Sequence, residues 1–344
     1  MLIPFLMMAC HPEPAAPDSA AASTAPRAGT TLFGTSGVDQ ESRIVEVDDA
    51  GTMSWEWDIA SLFGDDWATM SDHPTVADTQ AVAGGTILFS LYGYGIFEID
   101  RAGTVVWSHL DPQASHDVDR LPNGNTLYTR GWAAAGDDAA VEVDSDGNEL
   151  WTWNGVAAYG TDARFADIVD EGGGWMHTTA AQRFANGETG LNLRNFNALV
   201  VVNEVGEVTN ETTFESPSDT TFARTSGPLL GDRPHGAEWA PDGSVTVALR
   251  EPDRAVTLRG DVVEWTWQKV GVSGITDVDR LPDGTTLLAS HDHLLALDAQ
   301  DGVVWQWESD LGTGAEGTPG EGKDIHAFHS ISPRDADGAP LDHD

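Results

Sequence analysis

The chain has 344 residues and a formal charge of -39, from 56 acidic side chains against 17 Lys plus Arg. Binding to a phosphate backbone needs a basic footprint, so this balance excludes a nucleic-acid partner, and a small anionic substrate would need a local cluster of Arg and His against the overall field. With 37 Gly, 17 Pro and 13 Trp set among short Val, Leu and Ile runs that end in Asp-Gly or Asn-Gly, the composition points to many short strands, tight turns and very little helix.

Leu2 to Ala9 form a short apolar run directly before Cys10, the single cysteine. This resembles a bacterial lipoprotein signal cut before a lipidated cysteine, so residues 1–9 are expected to be a signal peptide. Residues 10–29, rich in Pro, Ala and Ser, read as a flexible tether, which places the protein in the cell envelope, lipid-anchored on the outer-membrane or periplasmic side. One cysteine permits neither an intrachain disulfide nor a cysteine metal cluster. No later segment is apolar for long enough to span a membrane, so the lipid is the only expected membrane contact.

Residues 30–338 carry one unit six times, which predicts an all-β fold, a six-bladed β-propeller of four-stranded antiparallel blades. The first unit offers three strands, Thr31 to Thr35, Arg43 to Asp48 and Thr52 to Trp57, with nothing ahead of them to act as the innermost one. The second runs from Ala77 through Gly84-Gly85 to Ile96-Phe-Glu-Ile-Asp100 and Val105-Val-Trp107. In the third, His116-Asp-Val-Asp-Arg-Leu-Pro-Asn-Gly124 is strand then turn, followed by strands at Asn125 to Arg130, Ala140 to Asp144 and Glu149 to Trp153.

The fourth unit runs from His177 through Ala185-Asn-Gly187 to Glu207, and the fifth from His235 through Ala240-Pro-Asp-Gly243 to Glu264-Trp-Thr-Trp267. The sixth repeats the third nearly residue for residue, from Asp277-Val-Asp-Arg-Leu-Pro-Asp-Gly284 to Val303 to Trp307. His329 to Gly338 then reads as one more innermost strand with its turn, so the ring is expected to close on the N-terminal blade, ahead of an acidic tail at 339–344. The Trp-x-Trp pairs Trp55/Trp57, Trp151/Trp153, Trp265/Trp267 and Trp305/Trp307 set two rings on one face of a fourth strand, where packing between blades is their expected role.

Most of the eleven histidines are scattered, but His116, His177 and His235 open the innermost strand of three successive blades, where a propeller brings residues together around its central channel. Folding the fourth unit about its turn sets Arg194 opposite His177, and the same construction sets Arg130 opposite His116 and Arg250 near His235. His326 and His329 begin the closing strand and are candidates for the same rim, whereas His291, His293 and His343 read as turn or tail residues. Three imidazoles could bind zinc or copper. A fixed cation beside them opposes a metal and favours an oxyanion, so neither metal nor cofactor is expected, and the set suits a tetrahedral anion such as sulfate or phosphate.

On Ser115-His-Asp-Val-Asp-Arg-Leu-Pro-Asn-Gly-Asn-Thr-Leu127, Trp175-Met-His177 with Arg194-Asn-Phe-Asn-Ala198, and Pro234-His-Gly236, the chain resembles the PAPS-independent arylsulfate sulfotransferases, over most of residues 75–308. The resemblance implies transfer of a sulfuryl group from a phenolic sulfate ester to a phenol acceptor through a covalently sulfated histidine in the channel. It implies His235 as that nucleophile, with His116, His177 and Arg194 binding the sulfuryl oxygens and moving the proton. Arg130, Arg250 and His329 are the further substrate-binding candidates.

A second expectation is a non-catalytic envelope lipoprotein whose propeller is a binding scaffold, since Asp298-Ala-Gln-Asp-Gly-Val-Val-Trp305 is similar to the quinoprotein-like blades of such scaffolds. A quinone- or metal-dependent oxidoreductase is the third.

Overall fold

A computed structural model describes residues 30–36, 42–48, 52–70, 73–166, 168, 174–214, 232–251, 253–272, 274–281, 284–290, 293–308 and 331–333. They form six four-stranded antiparallel sheets, the six-bladed β-propeller that the repeat predicts. Blade one orders its strands Ile331–Pro333, Thr30–Ser36, Ser42–Asp48, Met53–Asp58. Its innermost strand comes from the far end of the sequence, with Phe33 opposite Ile331 and Thr31 opposite Pro333, so the closure is the expected one.

Blades two to six each run outward in sequence order. Their innermost strands are Val76–Ala81, Val118–Arg120, Thr178–Arg183, Asp232–Trp239 and Asp277–Arg280. The outermost are Val105–Leu110, Glu149–Trp153, Val208–Thr213, Val262–Trp267 and Val303–Glu308. Among the described residues the α-helices are two single turns, Ala60–Phe63 and Val156–Tyr159. His293 is no turn residue; it opens the third strand of blade six, His293–Leu297.

The inner hairpins share one turn chemistry. In blade three the amide of Leu121 donates to the Asn125 carbonyl and that of Gly124 donates back to Leu121, both at 2.9 Å. The closing glycine sits at φ +87°, a left-handed conformation that side chains resist. The pattern recurs at Gly85, Gly187, Gly243 and Gly284.

Alternation along the strands then buries one face of each sheet against the next blade. Six apolar clusters result, one at each junction; Leu88 and Ile96 of blade two, for example, pack with Val118, Tyr128 and Val141 of blade three. The second ring of each Trp pair belongs to these clusters, as Trp57 lies 5.8 Å from Phe89 and Trp307 lies 5.2 Å from Phe33. Packing between blades is therefore their structural role, as expected.

Near the axis, where no ladder joins one blade to the next, side chains tie the innermost strands together. Val118 donates its amide to Asp78 at 2.7 Å, Ala181 donates to Asp117, and Trp239 donates to Gln182 at 2.7 Å. Asp117 also shares a hydrogen bond with Asp78, with Asp119 close by; desolvation first, then these two charges, hold its carboxyl well above the usual carboxylate range.

A carboxyl raised in the fold contributes stability below its unfolded value and loses it as pH rises through the folded one. Asp117→Asn keeps an acceptor for Ala181 and a donor for Asp78 without the titration. Its melting temperature is therefore expected to exceed wild type at pH 8 by about 2 °C or more, and to match it near pH 4. Equal losses at both pH values in a thermal denaturation series would contradict this account.

Candidate active site

His116, His177 and His235 meet at one end of the channel, each more than nine-tenths buried, with 9%, 8% and 5% of their surfaces exposed. Their sequence register, however, differs from expectation. His116 and His235 stand the same distance before their turn glycines, Gly124 and Gly243, whereas His177 stands two residues further from Gly187. His177 itself adopts a left-handed backbone, φ 52°, just ahead of a bulge between Thr178 and Ala180. His177 nevertheless reaches His116, with their Nε2 atoms 3.2 Å apart and ring centroids 4.7 Å apart. That separation places a proton on one Nε2 and a lone pair on the other. The His235 ring lies 5.6 Å from that of His116.

The His235 Nδ1 is 2.8 Å from the carbonyl of Thr276, which can only accept, so Nδ1 carries the hydrogen and Nε2 keeps its lone pair. Burial first, then the charges of Arg250 and Arg194 and the nearby His177, hold the ring well below the ordinary histidine range, against the opposing pull of the Thr276 bond. The result is a neutral imidazole within the field of two guanidinium groups. Arg194 faces His177 as the hairpin construction requires, its amide donating to the His177 carbonyl at 3.2 Å.

Arg250 joins the site and Arg130 does not. Counted from the inner turn, Tyr92, Gly131, Arg194 and Arg250 occupy one shared position. Arg130 falls one residue short of it, and strand alternation turns its side chain to the other face. There it binds Asp111 at 2.6 Å and Glu149 at 2.8 Å. Gly131 takes the inward position instead, where a Cβ would come within 2.5 Å of the His116 Nδ1. His326, His329 and Cys10 lie outside the described residues.

Two aromatic residues complete the site without having been anticipated. Tyr92 packs edge-on against His116 at 5.1 Å, and Trp132 lies 4.7 Å from Tyr92 and 5.1 Å from His116. Burial pushes the Tyr92 hydroxyl up, and the charges of Arg250 and Arg194 pull it partly back. The shared count from the turn could have found Tyr92; nothing in the repeat singles out Trp132. Among the described residues, no group of three or more His, Cys, Asp or Glu side chains is placed to hold a metal ion. The site instead gathers two cations, a neutral nucleophilic imidazole, a histidine pair able to pass a proton, and an aromatic wall.

No protein-family model and no curated protein matches the chain. Among solved structures it is similar to a protein of unknown function from Bacteroides caccae, with a TM-score of 0.60 and 17% identity over 90% of this chain and 98% of that one. It is also similar to a streptogramin B lyase, with a TM-score of 0.50 and 10% identity over 84% of this chain and 86% of that one. At such identities the likeness establishes the propeller fold alone.

The environment of His235 is testable directly. Imidazole NMR should find it neutral and protonated at Nδ1 at pH 6.5 and still neutral below it, and Arg250→Gln or Arg194→Gln should move its titration upward. A titration at or above the ordinary value of 6.5 would exclude the site as described.

Proposed function

We propose that this protein transfers a sulfuryl group from a phenolic sulfate ester to a phenol acceptor through a sulfated His235. One observation carries the reading: residues from three blades, His116, His177 with Arg194, and His235 with Arg250, gather at one end of the channel with a neutral imidazole at the centre.

The His235 Nε2 lone pair attacks sulfur, the bond from sulfur to the phenolic oxygen breaks, and the phenol leaves with the bonding electrons. The His235 ring keeps its Nδ1 hydrogen, so the sulfated imidazole carries a ring cation against the sulfonate anion, and the Thr276 carbonyl faces that cation. Arg194 and Arg250 offset the charge on the equatorial oxygens. A proton held by the pair His116 and His177 passes to the departing oxygen. In the second half, the incoming phenol returns a proton to that pair, attacks sulfur and frees His235. Tyr92 and Trp132 offer ring faces to the aryl group.

A neutral resting His235 suits this chemistry over a wide range, because an imidazolium has no lone pair with which to attack. Its lowered titration puts the acid limb of the rate profile below pH 6.5. The reading carries with it an envelope location, with a lipid on Cys10 and residues 10–29 as the tether.

Incubation with 4-nitrophenyl sulfate and a phenol should release nitrophenol and leave a protein adduct of one sulfuryl group. His235→Ala should remove both turnover and adduct, while His177→Gln should slow turnover about 10²- to 10⁴-fold and leave the adduct detectable. A folded protein inert toward a broad set of phenolic sulfates, with no adduct by mass spectrometry, would defeat the proposal and favour a binding scaffold.

A further inference from the structure

Three blade junctions are locked by one device. In junction two/three, Arg120 ends an innermost strand, stacks its guanidinium on Trp107 of the preceding blade at 4.6 Å, and binds Glu98 at 2.7 Å. In junction three/four, Arg183 stacks on Trp151 at 4.7 Å and binds Glu142 at 2.9 Å. Junction one/two reaches the same end with Arg101 over Trp55 and bound to Glu46. In each case the glutamate is the third-strand residue directly opposite the tryptophan, as the pairs Glu46 with Trp55, Glu98 with Trp107 and Glu142 with Trp151 record.

Junction five/six keeps two of the three parts. Arg280 ends its innermost strand opposite Thr286, as Arg120 does opposite Thr126, and stacks on Trp265 at 4.7 Å. The residue opposite Trp265 is Thr257. Arg280 therefore meets no carboxylate there, and among the described residues it enters no ion pair. In place of the missing side chain lies a cleft of about 230 Å³, whose lining includes Arg280, Thr257, Thr246, Ser244, Asp242 and Glu264.

The sister junctions show what a stacked arginine of this kind takes, which is a carboxylate. A bare anion, however, would also face Asp242 and Glu264. One cation, Arg259, is shared between these two carboxylates at 2.7 Å from each, so one negative charge of the set is left opposing a bare anion. A ligand with a carboxylate and an ammonium answers both requirements, with its acid group against Arg280 and its amine toward the carboxylates and the paired hydroxyls of Thr246 and Thr257, 2.9 Å apart. A volume of about 230 Å³ admits a molecule of a few heavy atoms. We propose that the cleft between blades five and six is a binding site for a small zwitterion of the amino-acid class, seated on Arg280.

The test is calorimetric titration of the full chain with glycine, propionate and methylammonium in turn. Glycine should saturate with a dissociation constant on the order of 1 mM, as befits so small a ligand, and each singly charged probe should bind at least about tenfold more weakly. Thr257→Glu supplies from within the carboxylate that Glu98 and Glu142 supply elsewhere. It should weaken glycine binding at least about tenfold while the melting temperature is held or raised, and Arg280→Gln should weaken it similarly. Three results overturn the proposal: no saturable glycine binding to wild type up to ~100 mM, propionate binding as tightly as glycine, or unchanged glycine binding in folded Thr257→Glu. None of these residues belongs to the histidine site, so failure here leaves the sulfuryl-transfer reading standing, and the reverse also holds.

Discussion

The short pairing of Ile331–Pro333 with Thr30–Ser36 is the constraint on which the rest of the molecule depends. Each blade buries one face against its neighbour, so six junctions require six neighbours in a ring. An open array would leave an innermost and an outermost face wet, and an edge strand free to pair with another chain. Sharing one blade between the chain ends ties the stability of every junction to the closure. It also fixes the radius of the channel, and with it the distances among residues brought from different blades.

That geometry explains why so many titratable groups near the axis depart from ordinary behaviour. Innermost strands converge without laddering to each other, so their amides must find acceptors on side chains, and Asp78, Asp117 and Gln182 serve. Crowding around the axis withdraws water from these same groups. At Asp117 two neighbouring acids add to the effect, so the carboxyl holds its proton; at His235 two arginines add to it, so the imidazole gives its proton up. One physical cause, desolvation on a closed ring, thus prepares a protonated acid and a deprotonated base in one channel.

The fold was almost wholly legible in the sequence because a turn glycine and a strand period are local signals, repeated six times, and each copy corrects the reading of the others. The site was legible only in part, because a facing residue is set by counting rungs, and a count fails by one or two wherever the ladder is irregular. Arg194 and Arg250 fall on the inward count and reach the site. Arg130 looks equivalent but misses by one residue and turns away to Asp111. His177 arrives despite being two residues out of register, on a left-handed backbone of its own. Such backbone is uncommon in residues other than glycine, and no local signal in the sequence marks it here. Trp132 lies in a connection outside the repeat, where no register exists to read.

Repetition also supplies an internal standard for asking which residues are architectural. Glu98 and Glu142 serve the junctions, because each completes the same stack of arginine on tryptophan. Against that standard Thr257 is a departure that costs its junction an ion pair and opens a cleft. Ala77 and Thr276, which stand at the same count from the turn as His116 and His235, are small or hydroxylic, so the fold itself does not require histidine there. The neutral His235 near two guanidinium groups is likewise unexplained by packing, since burying an imidazole beside two positive charges denies it the protonated form. Where a repeat unit can be built without a costly side chain and one copy carries it anyway, the cost is evidence of a task other than folding.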